Sequence, residues 1–156
     1  MHEQNALSHR RIGHIFAGMG CDHQYTQVLE RLREADLRPT RQRLALARLL
    51  FENGHRHVTA ERLHEEAIAA HIRVSLATVY NTLHQFTDAG LLREIVVDYG
   101  RSYFDTNTSD HHHFFHEPSG RLEDIPAGEV VVAEVPAPPD GTKIRRVDVI
   151  VRLSSE

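Results

Sequence analysis

From Asp22 onward, apolar positions recur with helical spacing in four successive stretches. In the first, Val28, Leu29, Leu32 and Ala35 share a face, Asp22 is the predicted N-cap, and Asp36-Leu-Arg-Pro39 ends the helix. Thr40 heads a second helix that turns Leu44, Ala47, Leu50 and Phe51 inward and stops at Asn53-Gly54. A third follows Thr59, with Ala60, Leu63, Ala67 and Ile68 at helical spacing. Ser75 caps a fourth, whose stripe is Leu76, Val79, Leu83 and Phe86 and which closes at Gly90. The last two, joined by the short link His71-Ile-Arg-Val74, make a helix-turn-helix whose second helix is the expected reader of a major groove.

After Gly90 the period shortens to two. Leu91 to Val97 and Arg101 to Asp105, around the turn Asp98-Tyr-Gly100, describe the wing of a winged helix. Beyond it lie short strands at His113 to His116 and Arg121 to Ile125, a brief helix or turn near Gly128 to Ala133, a Pro-rich link and a strand from Lys143 to Leu153. The expected fold is therefore α+β. A flexible arm (residues 1–21) leads into a winged helix-turn-helix DNA-binding domain (22–105), followed by a small α/β dimerisation and sensing domain (106–156). That second unit is too small to be comfortable alone, so a homodimer is expected, with Ile144, Val147, Val149 and Val151 buried between copies.

The net charge of -4 conceals an asymmetry that changes the picture. Six arginines and two acids lie between Arg31 and Arg48, whereas eight acids and one arginine lie between Asp105 and Asp140. A basic front suits phosphates and an acidic back suits cations. On the fourth helix the polar face carries Ser75, Thr78, Asn81, Thr82 and Gln85, short side chains suited to base edges. Arg41 and Arg43 are the candidate phosphate contacts, with Ser75, Thr78, Tyr80 and Asn81 on the reading helix; a half-buried core role for Tyr80 stands beside that of a base contact. The 156 residues hold no apolar run long enough to span a bilayer, and a cytoplasmic protein with no membrane partner is expected. The single cysteine, Cys21, excludes a structural zinc site built from four cysteines; it reads as a small residue near the first helix, or as a haem or redox ligand beside His23.

The densest chemistry lies in Asp105 to His116, with His111, His112, His113 and His116 close together and Asp124 downstream. These nitrogen and oxygen donors suit Fe(II), Mn(II), Zn(II) or haem iron. His111 and His113 stand two apart on an extended segment, so both point to one face. A solvated loop binding metals nonspecifically is the bland alternative.

Arg38-Pro-Thr-Arg-Gln-Arg43, His57-Val-Thr-Ala-Glu-Arg-Leu63, Ser75-Leu-Ala-Thr-Val-Tyr-Asn81, Phe86-Thr-Asp-Ala-Gly-Leu91, Gly100-Arg-Ser-Tyr-Phe-Asp105 and His111-His-His113 together resemble the ferric uptake regulator superfamily, over residues 22 to 153. The histidine run without downstream cysteine pairs is most similar to the iron response regulators of alpha-proteobacteria. The resemblance implies a dimeric winged-helix repressor of iron homeostasis and haem biosynthesis, acting on double-stranded operator DNA and relieved by haem, with a haem-synthesis enzyme as a further partner. It places a sensor site for Fe(II) or Mn(II), with zinc also accommodated, at His57, Asp105, His111, His113 and Asp124. It leaves His112, lacking its usual partners, free for haem within the run His111 to His113, and it assigns no structural zinc held by cysteines. The same ligand set fits a peroxide sensor in which Fe(II) promotes oxidation of a ligand histidine. From other classes, a metal-dependent hydrolase or non-haem iron oxygenase, or a metal store, would leave the helix-turn-helix unexplained.

Overall fold

The computed structural model describes residues 16–156, with side chains from residue 23. The first helix, α1 (Phe16–Glu34), begins six residues ahead of Asp22, so the expected cap lies inside it and the expected arm loses its last residues to the helix. The rest of the arm, and the side chain of Cys21, lie outside the described residues. Three further helices follow: α2 (Arg41–Phe51), α3 (Ala60–Ala69) and α4 (Leu76–Asp88). Each opens on the hydroxyl cap expected of it, Thr40, Thr59 and Ser75, whose side-chain oxygens accept the N–H groups of Arg43, Arg62 and Thr78. The caps satisfy otherwise orphaned donors and fix where each helix begins.

The helices close on a core of Leu32, Leu46, Ala47, Leu50, Val58, Leu63, Ala67, Val79, Leu83 and Phe86, all at 0 or 1% exposure. Three expectations are corrected. Leu46 is fully buried, with Leu44 and Phe51 only packed against the core's margin. Ile68 is 58% exposed. Thr82, assigned to the polar face of α4, is buried at 5%.

The wing has three strands rather than two. β1 (His57–Val58) pairs antiparallel with β3 (Arg101–Asp105), which pairs with β2 (Arg93–Asp98). Residues 57 and 58 are too few to carry a period of two, and their strand exists only because β3 is there to pair with it. Alternation along β2 and β3 then serves two cores. Phe104 and Leu92 face the helices, while Tyr103, Ile95 and Val97 face a second core completed by Phe115 and Leu122. The wing is thus the floor of the helical unit and a wall of the next.

That next unit is a sheet ordered β5-β4-β6, built from β4 (His112–His116), β5 (Arg121–Ile125) and β6 (Ile150–Leu153). β4 is antiparallel to β5 and parallel to β6. The long strand expected from Lys143 shrinks to residues 150–153, and the segment near Gly128 is turn rather than helix, so this unit shows no helix among the described residues. Residues 131–148 run exposed, with Val131 at 80%, Val135 at 41%, Ile144 at 46% and Val147 at 37%. Alternation before Ile150 had no neighbouring strand to meet, and a strand needs a ladder. No helix of the described residues is long and apolar enough to cross a membrane.

Phe115 is 1% exposed and packs edge-on to Tyr103, with centroids 6.3 Å apart, under the guanidinium groups of Arg101 and Arg152. Phe115→Ala is expected to cost about 3–5 kcal/mol. Hydrogen exchange should speed up in β4–β6 while α2–α4 stay protected, and thermal unfolding should begin earlier.

Candidate metal centre

Two strand ladders deliver the site. In the wing sheet His57 lies directly opposite Asp105, and in the second sheet His113 lies directly opposite Asp124. His111 reaches in from the loop before β4. The five side chains present one ligand atom each, all within 4.8 Å of one another. Nε2 of His111 stands 2.9 Å from Asp105 Oδ2 and 3.2 Å from Asp124 Oδ1; Nε2 of His57 stands 2.7 Å from Asp124 Oδ1 and 3.5 Å from Asp105 Oδ2. Nε2 of His113 lies 3.3 Å from Asp105 Oδ2 and 3.6 Å from Asp124 Oδ1.

These distances are short, but most of the angles are wrong for hydrogen bonding. His57 Nε2, His111 Nε2 and Asp124 Oδ1 are buried without a hydrogen-bond partner. An unpaired buried polar atom costs about 1–3 kcal/mol, and three sharing one centre are what lone pairs aimed at a common cation look like. Three neutral imidazoles and two carboxylates carry a charge of about -2 together, matched by one divalent ion. The residues therefore fit Fe(II), Mn(II) or Zn(II), and the absence of thiolate disfavours softer metals.

Asn107, which the sequence did not single out, organises both carboxylates. Its backbone N–H donates to Asp105 Oδ1 at 2.7 Å and its amide nitrogen donates to Asp124 Oδ2 at 3.2 Å, so each carboxylate keeps its other oxygen for the centre. Asn107 Oδ1 accepts Ser109 N–H and Oγ–H at 3.2 and 2.7 Å. The signal was present in Asp105-Thr-Asn107-Thr-Ser109, an alternation of residues that hydrogen-bond to backbone two positions on. His111 Nδ1–H donates to Ser109 O at 2.8 Å, leaving the Nε2 lone pair facing the centre.

His112 does not meet the expectation that it is free. Its Nδ1 accepts the N–H of Val149 at 3.2 Å, so a neutral ring carries its proton on Nε2. With His111 and His113 turned to the divalent centre, haem does not fit this arrangement of the run. A ligand imidazole needs a free lone pair, and the chain entering β6 holds the one His112 would offer.

On the helical unit, Arg41 and Asn81 are exposed, and Thr78 is half-buried beside Ser75, with their hydroxyls 2.9 Å apart. Tyr80 is half-buried and donates its hydroxyl to Glu61 at 2.5 Å. Arg43 is engaged within the protein: its Nε and Nη2 donate to Gln85 Oε1 at 3.0 and 2.7 Å, and Nη1 to Arg38 O at 2.9 Å. The guanidinium ties α2 to the reading helix.

A winged helix whose wing meets a second small sheet at a buried His/Asp cluster defines a class of metal-responsive transcription regulators. The chain belongs to the ferric uptake regulator family, whose model matches residues 34–150. It is 35% identical over 104 residues to the peroxide-responsive repressor PerR of Staphylococcus epidermidis, covering 67% of this chain and 69% of that protein. Among solved structures it resembles the Pseudomonas aeruginosa ferric uptake regulator with manganese (TM-score 0.63, 25% identity, 81% of this chain and 96% of that one). A zinc-bound manganese uptake regulator shares the fold (TM-score 0.59, 21% identity, covering 83% and 98%). Proteins of this family are regulators, which leaves the hydrolase and oxygenase readings without support.

Burial opposes charge on His57, but the two carboxylates beside it, Asp105 first and then Asp124, outweigh it and raise its pKa above 6.5. Burial likewise raises Asp105, yet the His113 hydrogen bond, the neighbouring His57 imidazole and the Asn107 N–H hold its carboxyl well below the usual range. In the metal-free protein a protonated His57 therefore contributes stability that is full below pH 6.5 and fades as pH rises through the raised value. Metal replaces that proton. Mn(II) affinity, read by titration calorimetry, should fall as pH drops below the raised His57 value, with proton release on binding; affinity flat from neutral pH to about pH 5 would count against ligation by His57.

Proposed function

We propose that this chain is a repressor whose affinity for operator DNA is set by a divalent ion held at His57, Asp105, His111, His113 and Asp124. The observation that carries the reading is the convergence of five donors, three of their atoms otherwise orphaned, where the wing sheet meets the second sheet. His57 and Asp105 belong to the wing, His111 to the adjoining loop, and His113 and Asp124 to the second sheet. An ion binding all five fixes the angle between reading helix and second unit, and a ligand that prefers one angle shifts the population toward it.

Peroxide as the signal is the better-supported refinement, because curated relatives at 34–35% identity are peroxide-responsive repressors. With Fe(II) bound, peroxide would be reduced beside three imidazoles, and oxidation of one of them removes a ligand and releases the lock. A haem response, the likeness to iron response regulators and a haem-synthesis enzyme as partner rank below it, since haem ligation by His112 first has to displace the Val149 N–H. Peroxide treatment of the Fe(II) form should add one oxygen to a peptide containing His57, His111 or His113 and release DNA, whereas the Mn(II) form should resist. DNA release by haem alone, lost in His112→Ala, would reverse this ranking.

For DNA, Arg41 is the phosphate contact and Asn81 and Thr78 read bases. Ser75 and Tyr80 sit beside them, and Arg43 acts by holding Gln85. Arg41→Ala should weaken binding to all sequences and lower the salt slope by about 1, whereas Asn81→Ala should relax preference at one position by about 1–3 kcal/mol. Selection from random DNA distinguishes the two effects.

The exposed valines and Ile144 of residues 131–147 fit burial against a second copy. Sedimentation should find a dimer at micromolar concentration that Val131→Asp weakens; a stable, well-folded monomer would rule this out.

A further inference from the structure

Arg93 is the charged side chain that the metal reading leaves unexplained. It lies in β2 directly opposite Asp105, yet its side chain is only 5% exposed. Burying a guanidinium is costly, by several kcal/mol in general, unless its donors are met. Placing it beside a cation site adds repulsion. Its Nε stays buried without a partner, and the partners of its two terminal nitrogens show what is gained. Nη1 donates to the carbonyl of Ser109, the same oxygen that accepts His111 Nδ1–H, and Nη1 and Nδ1 stand 3.1 Å apart around it. Nη2 donates to His111 O at 3.4 Å and to Asp148 Oδ1 at 2.9 Å. Arg146 Nε straddles the same carboxylate, donating to Asp148 Oδ2 at 2.9 Å and standing 2.8 Å from the Oδ1 that Arg93 uses.

Asp148 and Val149, which lead into β6, thereby grip three successive histidines. His111 is reached through Arg93, His112 through the Val149 N–H at 3.2 Å, and His113 through its own N–H to Val149 O at 3.1 Å. We propose that Arg93 is a positioning residue that sets the orientation of His111 and couples the metal centre to the chain entering β6 through Asp148. The inference rests on the metal reading of the site. A planar fork is required, because one side chain must meet two carbonyls and a carboxylate at once; an ammonium on a flexible stem keeps the charge and loses the geometry. Asp148 offsets part of the Arg93 charge, sharing it with the more exposed Arg146, so the site keeps more of its own negative charge for the ion. Loss of Asp148 leaves an uncompensated cation beside it.

The test uses the full-length protein with Mn(II) alone, in wild type, Arg93→Lys, Asp148→Asn and the double variant. Asp148 is 35% exposed, so Asp148→Asn keeps the question answerable if Arg93→Lys unfolds. Each single variant should lower Mn(II) affinity about 10- to 100-fold, as removal of partners behind a ligand does, and the double variant should lose little more than one single variant. In wild type, Mn(II) should slow amide exchange in residues 106–113 and in 147–153; in Asp148→Asn the slowing in 147–153 should shrink while that in 106–113 persists. Without metal, nitrogen NMR should report His111 as the Nδ1–H tautomer in wild type and a tautomer mixture in the variants. Variants that bind Mn(II) within about threefold of wild type, or wild-type protection that never reaches 147–153, would overturn the coupling while leaving the metal site standing. Wild-type protein that bound no Mn(II) would overturn both.

Discussion

Two carboxylates and three imidazoles are held at one point where water is largely excluded, and the rest of the structure depends on that constraint. Asp105 and His113 are both fully buried. Anions at such a position persist only with cations or donors around them, and here His57, the His113 ring and the Asn107 N–H surround Asp105 until an ion takes the centre. Each ligand pair is fixed by a ladder register, His57 opposite Asp105 and His113 opposite Asp124, so a slip of one residue in either sheet would turn the ligands outward. The sheets have to be right for the site to exist.

The wing bears most of this demand. Its alternate residues feed two cores, Phe104 one way and Tyr103 the other, so its orientation is determined by packing on both faces. A ligand at its end therefore acts on a rigid element. The Arg152 contacts to the Val97 carbonyl and to Asp98, and the Arg93 contacts to Ser109, His111 and Asp148, tie the same sheet to β4–β6 at two further places. The reading helix is secured in the same way from the α2 side, through Arg43 and Gln85.

The segment between β5 and β6 is the contrasting region. It has valines but no ladder and no helix, and its exposure marks a surface whose burial another chain would have to supply. Its inner end, Asp148-Val149, is nevertheless bonded to all three histidines of the run, directly or through Arg93. The least structured stretch of the second unit and its most ordered chemistry are thus neighbours.

The sequence by itself determined α2, α3 and α4 and their caps, because hydroxyl caps and helical periodicity are local properties and Thr40, Thr59 and Ser75 act within three residues of themselves, whereas the start of α1, ahead of Asp22, was missed. It also carried the family's motifs, from which the five candidate ligands could be numbered. Tertiary structure decided what depends on partners distant in the chain. β1 exists because β3 pairs with it; the expected strand from Lys143 mostly does not form because nothing pairs with its first half; Thr82 is buried and Ile68 exposed because neighbouring elements settle which side of a helix is covered. The orphaned lone pairs, the reach of Asn107 to Asp124, the capture of His112 by Val149 and the burial of Arg93 all arise from contacts between segments distant in the chain, and contacts at that separation leave no periodicity in a sequence.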